Sequence, residues 1–285
     1  MTPSRRFTLA AFVLFMLFSP HIALGGPPGS DPATWILGTN PRPNLQVEYG
    51  IDVFHHKRLE AEFPSVGALE LKLGYSSAEE LKNDIVSYGS GFLNGAWYRS
   101  NLGGGSGGTE GLSGTLGRFG FGYSQGYGYN LKDAVIIPYF GASAAWTQLK
   151  TARPATLGTT DTEILNRYEG TFRFGPSAES GIHATFGKNL SVAAGYEVNI
   201  VYPRVVFWEW FGSYLIVGAA NGVVAFFSPE ILDSSPTFGP VVIFALRTAV
   251  AWGFYQLYRE EMNWPFSSET PLTHETLKFG VGFAL

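Results

Sequence analysis

The chain has 285 residues, of which 36 are glycine, 45% are apolar and 15% aromatic, with 19 basic against 23 acidic side chains. It has no cysteine, which excludes a disulfide framework and a thiolate metal site, and no basic stripe, which argues against nucleic acid as a partner. Glycine eases sheet curvature and Trp and Tyr favour membrane interfaces, so the composition suits a sheet closed by strand pairing in a lipid setting.

Residues 1–25 combine Arg5 and Arg6, an apolar run over 9–18 and the small-residue exit Ala23-Leu24-Gly25-Gly26, the pattern of a secretory signal peptide. Its removal lowers the basic count from 19 to 17 and the net charge from −4 to −6. Residues 26–43, with Gly26-Pro27-Pro28-Gly29 and Pro41-Arg42-Pro43, read as a flexible lead-in, and 34–37 can add a short strand.

From there apolar residues fall on every second position, the mark of strands with one greasy and one small or polar face. The first strand is 45–54, with Leu45, Val47, Tyr49, Ile51 and Val53 on one side. It is followed by 69–76 and, after a short helical turn predicted over 77–84 with a serine cap, by 88–99. A glycine-rich loop over 103–108 leads to strands at 115–124 and 135–148, and a polar loop then runs to Arg167. The clearest pair is 172–186 and 190–202, reversing at Gly187-Lys188-Asn189, where glycine and asparagine tolerate positive φ. The last strand, 275–285, runs to the final residue.

Residues 203–270 break this period. Residues 205–227 and 240–258 are almost continuously apolar, with Ser228-Pro229 ending the first run and Pro240 opening the second. They predict two helices of about 20 residues joined over 229–238. Helices apolar all round need burial or lipid, so the hairpin is expected on the barrel, at an interface or between copies in a homo-oligomer. Glu209 and Arg247 are expected to face each other across it.

Eight such strands predict an all-β membrane fold: an eight-stranded antiparallel transmembrane β-barrel, occupying 44–202 and 275–285, with an α-helical hairpin inserted before the last strand. The non-greasy parity carries Glu48, Asp52, Glu70, Lys72, Arg118, Arg173, Glu179, His183, Glu197 and Lys278. That is too many charges for an apolar ligand cavity, and a charge network filling the lumen is expected. Glu179 and His183 share a face and could also pair as acid and base. His55, His56, Lys57 and Arg58 form a cationic cluster at the end of the first strand, able to contact lipopolysaccharide phosphates. Adjacent histidines on a strand point apart, so no metal site is expected, nor any cofactor.

The segments Pro138-Tyr139-Phe140-Gly141-Ala142-Ser143-Ala144 and 181–197 resemble the OmpA-like superfamily of small outer-membrane β-barrels. The resemblance implies placement in the bacterial outer membrane, with lipid or lipopolysaccharide as partner and a structural or surface-interaction role. Tyr49-Gly50-Ile51-Asp52-Val53-Phe54-His55-His56-Lys57, with 69–74, is similar to the opening of lipid A deacylase barrels. That family's His-x-Ser pair and acidic partner imply His274, Thr276 and Glu275 here, and an acyl-ester hydrolase as the alternative activity.

Overall fold

A computed structural model describes residues 40–99, 112–187 and 189–285. The expected signal peptide, the strand at 34–37, the glycine-rich loop at 103–108 and Lys188 lie outside them. The strands are β1 (Arg42–His55), β2 (Val66–Glu80), β3 (Ile85–Arg99), β4 (Ser113–Asn130), β5 (Ala134–Ala152), β6 (Arg173–Phe186), β7 (Leu190–Val201) and β8 (Leu272–Ala284). Each pairs antiparallel with its neighbours in sequence, and β8 closes on β1, giving a sealed eight-stranded barrel. Strands of 12 to 19 residues exceed the usual soluble length, as expected of strands that cross a membrane at a tilt.

Both ends of the barrel chain meet at one rim, where the Leu285 amide donates to the Pro43 carbonyl at 2.8 Å. The connections at this rim, 81–84, 131–133 and 187–189, are short, and Gly187 takes φ +61°. The longer connections 56–65, 153–172 and 202–271 leave from the opposite rim.

The helical turn expected over 77–84 is mostly strand. Ser77 to Glu80 pair with Gly89 to Val86, and only Lys82–Asp84 form a 3-10 turn, with Asn83 and Asp84 at positive φ. Cross-strand pairing outweighs the local serine-cap signal. β1 likewise starts at Arg42, inside the expected lead-in, and β8 at Leu272, ahead of the expected start at 275. The polar loop before β6 contains a helix that the sequence pattern did not show, α1 (Thr159–Asn166). Its Asp161 accepts from the amides of Glu60 (3.1 Å) and Ala61 (3.0 Å), and Ile164, Leu165 and Tyr168 plug the far rim against Leu116, Leu149, Val201 and Leu272.

The insertion is a helical hairpin, α2 (Phe207–Ser234) and α3 (Gly239–Glu260). At 1.5 Å per residue the helices are about 42 and 33 Å long, enough to cross a bilayer. α3 lies on the outer wall, chiefly over β4 and β5 with further contacts on β6 and β7, and α2 packs chiefly on α3. Trp210, Tyr255 and Tyr258 pack on the outward Val198, Ile200 and Tyr202, while Val224, Leu232 and Ile243 pack near Ile85. The Tyr129 hydroxyl donates to the Thr237 carbonyl at 2.6 Å, fixing the hairpin tip at the terminal rim.

Two expectations for the hairpin are corrected. The first helix does not end at Ser228-Pro229 but runs on to Ser234. A proline costs one helical hydrogen bond, here to the Ala225 carbonyl, and a packed apolar helix can run on through it. Nor do Glu209 and Arg247 meet. Glu209 lies in the first turn of α2 and accepts from Asn263 at 3.2 Å, whereas Arg247 lies in the half of antiparallel α3 nearer the tip.

Candidate functional site

Alternation within each strand divides the side chains cleanly. Val47, Tyr49, Ile51, Leu69, Leu73, Leu93, Trp97, Ile182, Leu277, Phe279 and Val281 stand exposed on the outside of the barrel. Glu48, Glu70, Lys72, Arg118, Glu179, Glu197 and Lys278 point inward and are buried. The expected lumen network is therefore present, and register decides its wiring.

Lys278 on β8 is the hub. Its Nζ lies 3.1 Å from Glu48 on β1, 2.7 Å from Glu70 on β2, 2.9 Å from Glu179 on β6 and 3.0 Å from Glu197 on β7. Lys72 on β2 lies 2.9 Å from both Glu48 and Glu179. The Arg118 guanidinium on β4 reaches Glu197 at 2.7 Å, Ser177 at 3.0 Å, Ser143 at 3.1 Å and the Tyr98 hydroxyl at 3.2 Å. Asn94 donates to Glu70 at 2.6 Å and the Tyr139 hydroxyl to Glu179. Three cations thus face four carboxylates, and the cavity among them holds only about 10 Å³. Burial of charge is tolerated where each ion is paired, as here, although Arg118 Nε and Asn94 Oδ1 have no hydrogen-bond partner among the described residues.

The remaining inward residues are not wired into this hub. Arg173, at the far rim, is partly buried and makes no ion pair among the described residues. His183 stacks on Tyr88, ring centroids 5.1 Å apart. It does not pair with Glu179, since four residues along a strand separate the two by about 13 Å. Asp52 bridges His274, whose Nδ1 is 2.7 Å away, and the Thr276 hydroxyl. All three are fully buried, with Phe54 and Tyr98 against the imidazole at 5.2 and 5.3 Å.

This geometry differs from the hydrolase arrangement. Thr276 donates to Asp52 rather than to His274, and His274 Nε2 is buried without a partner, so nucleophile and base are not in contact. Glu275 points outward, where it accepts from Tyr196 and, at 2.9 Å, from Tyr255 of α3. The acid expected to complete a triad instead anchors the hairpin. Alternation puts neighbours on opposite faces, so Glu275 could not join its two flanking residues. Asp52, His274 and Thr276 serve as a clasp between the first strand and the last.

The cationic cluster at the end of β1 is dispersed. His55 is exposed, Lys57 pairs with Glu260 and Arg58 is exposed. The His56 ring packs edge-on to Tyr168 at 6.0 Å, and burial pushes its pKa below the usual imidazole value, with Arg58 and Arg167 adding to the effect.

Sequence parity found the hub acids and lysines but missed their neutral partners Asn94, Tyr98, Tyr139, Ser143 and Ser177. Those share the inward parity of charged neighbours in register, a signal readable only once strands are paired.

Together these features define a closed eight-stranded barrel with a charge-filled interior and an apolar outer wall. The sequence matches no family model and no curated protein. Among solved structures, the barrel is similar to Neisserial surface protein A, at 10% identity over 87% of this chain and all of that chain, with a TM-score of 0.44. It is also similar to Ail, the attachment invasion locus protein of Yersinia pestis, at 9% identity over 87% of this chain and all of that one, with a TM-score of 0.33. A second structure of Ail, in complex with the heparin analogue sucrose octasulfate, matches at 9% identity and a TM-score of 0.32.

Proposed function

We propose that the protein is a bacterial outer-membrane β-barrel with a structural or surface-interaction role and no pore. The observation that carries this reading is the Lys278 hub, which joins acids from four strands across the lumen. Ions would have to displace a fully buried, paired network to pass. The exposed apolar wall supports the membrane setting, because a greasy surface of that extent is costly in water and an edgeless barrel satisfies its backbone in lipid. With the termini on the periplasmic side, the α1 plug and the longer connections face outward. There the exposed Arg58, with His55 nearby, supplies a cation for lipopolysaccharide phosphates, while Lys57 is paired with Glu260.

Planar-bilayer recording of the purified protein tests the closed lumen: no stable large conductance is expected, and a steady open channel would overturn the reading. Membrane fractionation tests the location. Charge reversal at Arg58 should weaken binding to lipopolysaccharide-containing vesicles, and unchanged binding would remove that contact from the reading.

A further inference from the structure

α3 buries one charged residue between itself and the barrel. Its buried face runs Pro240, Ile243, Arg247, Tyr255 and Tyr258, a helical period that places Arg247 in the seam between hairpin and wall. Arg247 is 93% buried, at a relative exposure of 7%. No ion pair to it occurs among the described residues, and the groups facing it are the phenols of Tyr123 and Tyr127 on β4. A buried guanidinium without a counter-charge is costly, and in membranes such residues mark sites of function.

Arg247 borders a cavity of about 230 Å³, lined also by Ser87, Gln125 and Tyr127, with Pro240 and Ile243 on the helix side. The seam thus offers one cation, an amide and two hydroxyls inside otherwise apolar walls. Its level in the barrel fits a lipid headgroup. Outward residues of β4 run Phe119, Phe121, Tyr123 and then Gln125, Tyr127, Tyr129 towards the terminal rim, and on β3 Leu93 gives way to Ser87. The wall changes there from apolar to polar, as at the edge of a hydrocarbon layer, where Tyr also concentrates.

We propose that this cavity binds the phosphodiester of a phospholipid from the membrane leaflet on the terminal side of the barrel, with Arg247 as counter-charge. Gln125, Ser87 and Tyr127 complete its polar contacts, and the acyl chains lie along the exposed flank of α3, where Val242 and Leu246 face out. A guanidinium suits the group because its planar fork donates two parallel hydrogen bonds to phosphate oxygens. The proposal rests on the membrane reading above.

The test uses the full chain, purified in uncharged detergent, titrated with phosphatidylglycerol, with diacylglycerol of the same acyl chains, and with inorganic phosphate, reading bound lipid by native mass spectrometry and thermal stability in parallel. Phosphatidylglycerol should bind and raise the melting temperature, whereas diacylglycerol and inorganic phosphate should not. Loss of a charge-assisted contact predicts roughly ten- to hundredfold weaker phosphatidylglycerol binding by Arg247→Met. Gln125→Leu should show a smaller loss and carries the test if Arg247→Met does not fold. Equal binding by wild type and both variants, or a response to diacylglycerol as large as to phosphatidylglycerol, would overturn the proposal. A full response to inorganic phosphate would assign the cavity to the free anion and overturn the lipid source. Vesicle flotation reads the underlying premise separately: protein that does not float with vesicles refutes the membrane reading, whatever the titration shows.

Discussion

Arg118 and Arg247 are both buried arginines, one in the lumen on β4 and the other on the helix α3 outside the barrel, yet their surroundings differ in kind. Arg118 sits in the lumen with Glu197, Ser143, Ser177 and Tyr98 around its guanidinium. Arg247 sits in the seam between α3 and the wall, facing phenols, with no acid in ion-pair contact among the described residues. The lumen charge is satisfied by the protein itself and holds the fold together. The seam charge is left for something else to satisfy.

The sharpest way to break this comparison is to remove the lumen hub. Lys278→Met leaves four buried carboxylates short of their shared cation, and breaking a buried network typically costs about 3–5 kcal/mol. The folded, heat-modifiable band on a gel should be lost or strongly reduced. A variant as heat-resistant as the parent would mean that the network contributes little.

Arg118→Lys comes next. It keeps the charge but loses the fork that reaches Glu197 and both serines, so a loss of about 1–3 kcal/mol is expected by denaturant titration. Arg247→Met in lipid-free detergent should go the other way, with stability unchanged or slightly raised, because no protein partner is orphaned. A loss matching that of Arg118→Lys would show that Arg247 is a structural ion after all.

The hairpin anchor gives a smaller effect. Tyr255→Phe and Glu275→Gln each remove part of one contact, and a double-mutant cycle should return a coupling of about 0.5–1.5 kcal/mol. Strictly additive effects would mean that α3 is held by apolar packing alone.

The smallest effect concerns His56 in the first outer connection. Burial lowers its pKa, so the folded state prefers the neutral ring. Its contribution to stability is then complete above the unfolded value of about 6.5 and is lost as pH falls from there towards the depressed folded value. The hydrogen-exchange protection of residues 56–65, relative to the intrinsic rate at each pH, should fall over that interval, and His56→Gln should flatten the response.

Much of this molecule is legible in its sequence. Strand alternation is a local property, since each residue's face follows from its neighbours two positions away, and it placed Glu48, Glu70, Lys72 and Lys278 inside without knowledge of any pairing. The same local rule marked the eight strands, and its failure over 203–270, where two continuous apolar runs replace it, marked the hairpin. It could not show that Lys278 meets Glu48, 230 positions earlier in the chain, because that contact depends on the register of every strand between them and on closure of β8 onto β1. Nor could it choose the docking face of α2, whose apolar residues surround the helix evenly and define no side. Propensity misplaced the strand end at 77–80 and ended α2 at Pro229, both cases in which partners distant in sequence outweighed a local signal. Sequence alone thus determined which residues are inside and which are outside. Only the tertiary structure decided which charges meet, that Glu275 fastens a helix instead of serving His274, and that Arg247 is buried against the wall with its charge unmatched.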